Sequence, residues 1–145
     1  MHYRLIKEND IKSIFLLGKS YFALKSEYSW DRSVNSIKKY IKKSFGLGMV
    51  CCDKTGIVGF VLVEKNYSSQ KPNVARLTYI FVDKKYRHQH IASVLLDSAS
   101  EKLKCLGKTD LITDVYTKNI TSLDFFESNE FQIKEKRVIL SRKIK

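Results

Sequence analysis

Ile80-Phe81-Val82-Asp83-Lys84-Lys85-Tyr86-Arg87-His88-Gln89-His90-Ile91-Ala92-Ser93-Val94-Leu95-Leu96 is the stretch whose reading decides the fold. Its first residues close the run Val74–Val82, rich in apolar and β-branched side chains, which predicts a strand. Residues 83–89 are polar and largely basic, and predict a connection. From His90 to Leu106, the residues Ile91, Val94, Leu95, Ala99 and Leu103 recur at helical spacing, so a helix with one buried stripe follows. Gly107 is a suitable stop, because glycine accepts the left-handed conformation in which many helices end. A helix that starts just after a strand end offers unpaired N–H donors and a favourable dipole to an anion.

The reading extends outward in both directions. Upstream, Tyr3–Lys7 predicts a first strand, and Asn9 or Asp10 is placed to cap a helix to about Leu24. Residues 25–30 read as a connection. Asp31 or Ser33 then caps a second helix, with Val34, Ile37 and Ile41 spaced for burial. Leu47–Cys52 and Gly56–Lys65 read as two strands joined by a hairpin turn at Asp53-Lys54-Thr55-Gly56. Downstream, Leu111–Tyr116 reads as a strand, Ser122–Ser128 as a short helix, and Phe131–Ile144 as one or two final strands. The order is β-α-α-β-β-β-α-β-α-β, with an antiparallel first half and a β-α-β unit in the second. No repeat or linker composition interrupts it, so residues 1–145 are expected to form a single domain.

Composition narrows the function. A chain of 145 residues, 43% of them hydrophobic, can bury a sizeable core, and one proline and six glycines argue against disorder. No apolar run approaches the roughly 20 residues that span a bilayer, and Met1–Lys7 has no signal-peptide pattern. A cytoplasmic protein without membrane contact is therefore expected. Cys51, Cys52 and Cys105 lack zinc spacing and read as reduced thiols. His88 and His90 lack a third ligand, so no metal is expected. The net charge of +12 favours an anionic partner but does not by itself choose among nucleic acid, phosphate, a membrane surface and acidic protein. Lys38, Lys39, Lys42 and Lys43 fall on one side of the second helix and read first as a solvated face.

Residues 80–96 resemble the acetyl-CoA-binding motif of the GNAT superfamily of N-acetyltransferases. There a strand ends in an aliphatic residue, a loop carries Arg/Gln-x-x-Gly-x-Gly/Ala, and a helix follows. The pattern falls on Arg87, His90 and Ala92. A second segment, Asn119-Ile120-Thr121-Ser122-Leu123-Asp124-Phe125-Phe126-Glu127-Ser128-Asn129-Glu130-Phe131, is similar to the family's late Asn-x-x-Ala-x-x-Leu-Tyr-Glu-Lys-x-Gly-Phe. Asn119, Phe125, Glu127 and Phe131 fit, and Ser122 takes the small-residue position. The resemblance implies a mixed α/β fold, with a central mixed sheet of about seven strands flanked by about four helices.

The resemblance also implies that acetyl-CoA is the co-substrate. Phe81, Val82, Arg87, His88, Gln89, His90, Ile91, Ala92, Asn119 and Phe126 would then bind it. Backbone amides from about His88 to Ala92 would cradle the pyrophosphate, and Phe81-Val82 would pair with the amides of the pantetheine arm. Three departures stand out. His90 and Glu130 replace glycines, and Phe126 replaces the tyrosine commonly assigned as the acid that protonates the departing thiolate. Phe126 has no proton to give. Tyr116 or Ser122 is the substitute donor, directly or through water. Glu27, Glu64 and Tyr79 are the candidate bases for the amine. Glu27, Tyr28, Trp30 and Asp31 would shape the acceptor entrance by family analogy, or else Tyr28 and Trp30 pack the helical layer.

The implied reaction is acetyl transfer to a primary amine of a small molecule or protein, by a monomer or homodimer. Two other functions stay open. Phe126 and His90 would also suit a non-catalytic CoA-binding module. The charge would suit a nucleic-acid or ribosome-associated protein, although no RNP, KH or zinc-finger pattern accompanies it.

Overall fold

The computed structural model describes residues 1–22, 30 and 34–144, which fall into two compact units, Met1–Asp114 and Val115–Lys145. The first unit contains β1 (His2–Leu5), α1 (Ile11–Phe22), α2 (Val34–Lys43), β2 (Met49–Cys52), β3 (Ile57–Glu64), β4 (Val74–Val82), α3 (Ile91–Cys105) and β5 (Asp110–Ile112); the second contains α4 (Ile120–Ser128). The strands form one mixed sheet in the order β1-β2-β3-β4-β5. The first four are antiparallel neighbours, and β5 runs parallel to β4. This is the expected order up to α4.

The sheet is covered on both faces. Phe60 and Leu62 of β3 join Ile14, Phe15 and Phe22 of α1 and Ile37 and Ile41 of α2 in one apolar cluster. A Cβ at Gly59, the residue before Phe60, would meet Leu95 of α3 at 3.3 Å, so α3 lies on the opposite face. Two covered faces explain why Val58–Val63 is apolar at nearly every position instead of alternating. Short hydrogen bonds tie the edges together. Asp53, in the β2–β3 turn, accepts from the N–H and hydroxyl of Thr55 and from the N–H of Gly56 at 2.7–3.1 Å, and Gly56 takes the positive φ (+143°) expected of it. Gly107 (φ +78°) ends α3 as predicted. Its N–H reaches Lys104 O and that of Lys108 reaches Leu103 O, the two bonds of a Schellman motif.

Two expectations are corrected. Asp10 does not cap α1 but reaches back to the N–H of Lys7 at 2.8 Å, and it holds Arg4 of β1 through two bonds of 2.6 and 2.9 Å. Burial pushes the Asp10 carboxyl up, but these partners outweigh it and hold it below the ordinary range. The expected caps Asp31 and Ser33 lie outside the described residues. The sheet has five strands, not about seven, because among the described residues 131–144 carry no strand. Val138, Ile139 and Leu140 are 84, 82 and 88% exposed. Apolar, β-branched residues form a strand only where a partner supplies the ladder.

The sequence left Trp30 open between an acceptor entrance and packing of the helical layer, and the structure gives the second. Trp30 is 2% exposed and belongs to the core. Its ring stacks on Phe60 (5.7 Å between centroids) and meets Tyr79 edge-on at 4.9 Å, and its indole N–H donates to Phe15 O at 3.2 Å. Gly18 makes room for it, since a Cβ there would lie 2.2 Å from Trp30 Cζ2. A glycine inside a helix costs about 1 kcal/mol relative to alanine, so its presence in α1 reflects packing. Gly18→Ala should therefore lower the melting temperature by roughly 5 °C, because overpacking of about 1–3 kcal/mol outweighs the helix gain. A rise on thermal denaturation would contradict this account of Trp30.

Candidate active site

The site begins with an irregularity in β4. Leu62 lies opposite Tyr79 and Val63 opposite Leu77, so Thr78 is an extra residue, a bulge on β4. The Thr78 hydroxyl donates to Leu62 O at 3.1 Å. The bulge changes which side chains share a face. Tyr79 and Phe81 pack with the α1/α2 cluster, while the buried Leu77 lies outside it.

The other edge of β4 opens at the same place. β5 pairs only with Val74, Ala75 and Arg76, and the Thr113 hydroxyl closes the ladder on Leu77 O at 3.1 Å. Among the described residues of this unit, no strand flanks that edge from Thr78 to Val82. Main-chain groups along an unpaired edge need partners from solvent or a ligand.

The loop after β4 is held at several points. The N–H of Asp83 donates to Val58 O at 2.8 Å, and the Asp83 carboxylate accepts from the N–H of Lys85 at 3.0 Å, capping a 3₁₀ turn at Lys84–Tyr86. Arg87 folds back over the strand. Its Nε donates to Val82 O at 3.1 Å, and its guanidinium lies 5.5 Å from the Phe81 ring and 5.8 Å from that of Tyr21. The Tyr86 hydroxyl donates to Asp53 in the β2–β3 turn. That hydroxyl and the Thr55 donors hold the Asp53 carboxyl well below its usual range, and the carboxylate in turn raises the Tyr86 phenol.

His88 and His90 both adopt the left-handed region, at φ +61° and +59°. His90 is the residue before α3, and its carbonyl accepts the first helical bond from Val94 at 3.1 Å. The family's glycine at this position thus has a visible reason, and this chain meets the same backbone demand with a side chain. Arg87, His88, Gln89 and His90 are exposed, Ile91 is buried and Ala92 half-buried. Eight of the ten expected cofactor contacts, Phe81, Val82 and Arg87 to Ala92, are therefore contiguous at one strand end and one helix start.

The remaining candidates have other surroundings. The Glu64 carboxylate lies 3.8 Å from Lys43 Nζ, with Arg76 opposite it on β4. Tyr79 packs among Phe22, Trp30 and Tyr40. Glu27, Tyr28 and Asp31 lie outside the described residues. In the second unit, Tyr116 is 45% exposed and precedes α4. Asn119 caps α4, its side-chain oxygen accepting from the N–H of Ser122 at 3.2 Å. Glu130 takes φ +68°, and the N–H groups of Glu130 and Phe131 reach Glu127 O and Phe126 O at the end of α4. This is again a Schellman motif, completed by Phe126 and Phe131 with rings 5.0 Å apart. Glu130 thus keeps the turn conformation that a glycine would adopt. Sequence reasoning missed Thr78, Tyr21 and the Asp53–Tyr86 tie. Among the described residues no three His, Cys, Asp or Glu side chains gather as a metal site, and no helix is long and apolar enough to cross a membrane.

Comparison with known proteins agrees with this geometry. An aminoglycoside 6'-N-acetyltransferase from Acinetobacter haemolyticus superposes with a TM-score of 0.78 at 19% identity, covering 100% of both chains. The PaiA N-acetyltransferase of Thermoplasma acidophilum, solved with coenzyme A, gives 0.77 at 20% identity over 94% of this chain and 92% of that one. At these identities the likeness establishes the fold. N-alpha-acetyltransferase 60 of Danio rerio is 26% identical over an alignment 147 positions long, gaps included, which covers 89% of this chain and 58% of that protein, so this chain spans a little over half the length of that relative. The model of the Acetyltransferase (GNAT) family matches residues 14–131, and with the bulged, half-open β4 leading into α3 this assigns the chain to that family.

Proposed function

We propose that this chain is an acetyl-CoA-dependent N-acetyltransferase that acts as one domain over residues 1–145 in the cytoplasm. The observation that carries the reading is the coincidence of two features. Among the described residues of the first unit, the edge of β4 has no strand partner from Thr78 to Val82, and the start of α3 follows within one short loop. An extended pantetheine arm carries amides that suit an open strand edge, and a diphosphate suits a helix start. Arg87 adds a fixed positive charge, and Lys84 and Lys85 add to the basic loop.

In the proposed reaction the nitrogen of an unprotonated primary amine attacks the thioester carbonyl. A C–N bond forms, the C–S bond breaks, one proton leaves nitrogen and one arrives at sulfur. Backbone N–H on the open edge of β4 would polarise the carbonyl. A thiol of pKa near ~8.5 is a fair leaving group without an acid, so Phe126 at the family's tyrosine position slows the reaction without abolishing it. Tyr116, half-exposed, is our candidate donor, with Ser122 as second. Among the bases, Glu64 lies 3.8 Å from Lys43 Nζ and opposite Arg76, so its carboxylate already has cationic neighbours. Glu27 stays a candidate base from its place in the sequence between the first two helices. The similar proteins named above, an aminoglycoside 6'-N-acetyltransferase and an N-alpha-acetyltransferase, agree with a primary-amine acceptor. Phe126 and Asn119 are proposed as cofactor contacts from the resemblance alone.

Calorimetry with acetyl-CoA, followed by steady-state kinetics on a panel of amines, tests the reading. The native protein should bind acetyl-CoA and turn over slowly. Phe126→Tyr should raise kcat by up to about tenfold with little change in CoA affinity, since a donor near the sulfur acts as thiolate develops. Binding without turnover in both proteins would favour the non-catalytic module, and absence of binding would end the CoA reading.

His90→Gly should keep CoA affinity within about threefold, because the contacts expected there are backbone amides. It should also stabilise the fold by about 0.5–1 kcal/mol, as relief of a left-handed side-chain residue exceeds the cost of the extra glycine freedom. A drop in melting temperature would mean that the imidazole itself holds the loop.

A further inference from the structure

The loop between β4 and α3 has a backbone that does not hold itself. His88 and His90 both sit in the left-handed region without glycine, and such conformations persist where the surroundings over-determine them. Behind the loop, α3 fixes one end through the Val94–His90 bond. At the other end Asp83 is bonded to Val58, and Arg87 to Val82. Sideways support comes from the bond between the Tyr86 hydroxyl and Asp53. It spans 33 residues of sequence and joins the loop to the tip of the β2–β3 hairpin.

Asp53 is built as a fixed post. One carboxylate oxygen holds Thr55 N, Thr55 Oγ1 and Gly56 N, and the other is left for Tyr86. Its main chain closes the turn, with Asp53 N donating to Gly56 O at 3.0 Å. A bare carboxylate near a diphosphate site would repel the ligand. Here four donated hydrogen bonds disperse its charge, one of them from the Tyr86 phenol next to Arg87 in the sequence. The turn of a hairpin needs an aspartate for its own geometry. It does not need a tyrosine hydroxyl from another loop, so that bond serves the loop.

We propose that Tyr86 and Asp53 are positioning residues for the diphosphate of coenzyme A, fixing the amides of residues 88–92 before the ligand arrives. The inference rests on the CoA reading above. Pre-organisation of this kind raises affinity by removing the ordering cost at the moment of binding. Because the tie acts on the phosphate end of the site, its loss should be felt by ligands that carry the diphosphate and not by those that lack it.

The test compares coenzyme A, by calorimetry, with pantetheine, by ligand-observed NMR, on the native protein, Tyr86→Phe, Asp53→Ala and the double variant. Circular dichroism confirms that each folds. Tyr86→Phe, which keeps the ring, should weaken CoA about five- to tenfold, the size expected for one bond to a charged partner near the surface. Pantetheine affinity should stay within about twofold. The double variant should bind CoA no worse than Asp53→Ala, because the two residues act through one bond. Unchanged CoA affinity in Tyr86→Phe, or an equal loss for CoA and pantetheine, would overturn the positioning role while leaving the CoA reading intact. A native protein that binds neither ligand would overturn both.

Discussion

The structure depends on how β4 is paired. On one side it is bonded to β3 along most of its length, and on the other β5 accompanies it for three residues and then leaves. The bulge at Thr78 marks the same point, bending the strand where its second partner is lost. A half-open strand in the middle of a covered sheet is costly unless something pairs with it. The rest of the first unit makes that opening rigid: β3 anchored by α1 and α2 on one face and α3 on the other, and a loop fastened at both ends and from the side. The candidate site is less a pocket than a defect in sheet pairing with a helix start at its end.

Much of this was legible in the sequence, and the reason is local. Val74–Val82 is long and β-branched, α3 carries a clear apolar stripe, and Gly56 and Gly107 announce a turn and a helix stop by conformational need. These signals lie within a few residues of one another, as do eight of the ten expected cofactor contacts. What was not legible is set by pairing between distant segments. No feature of Thr78 predicts a bulge, because the bulge is a property of its register with Leu62 and Val63. Trp30 read equally as an entrance or a core residue until Gly18 and Phe60 were seen to enclose it. Val138–Leu140 looked like a strand by composition, but a strand needs a neighbour that composition does not name.

The departures from the family pattern gain a common explanation. His90 and Glu130 stand where the family has glycine, and both adopt positive φ. The backbone has kept the conformations that glycine would allow, at about 1–2 kcal/mol each, and neighbouring contacts hold them. At Glu130 the support is the Phe126–Phe131 contact across the end of α4. This gives Phe126 a packing role inside its own unit, whatever it contributes to chemistry. At His90 the support is the fastened loop. Geometry is therefore retained where side-chain identity has drifted, as expected if the ligand is read mainly by backbone amides.

Amide hydrogen exchange with and without saturating acetyl-CoA tests that claim most directly. Binding through the open edge and the helix start should slow exchange across residues 78–92 by at least about tenfold, since ligand binding suppresses local opening. The outer faces of α1 and α2 should be unaffected. Unchanged exchange at residues 78–92, or protection confined to the lysine-rich face of α2, would contradict the account.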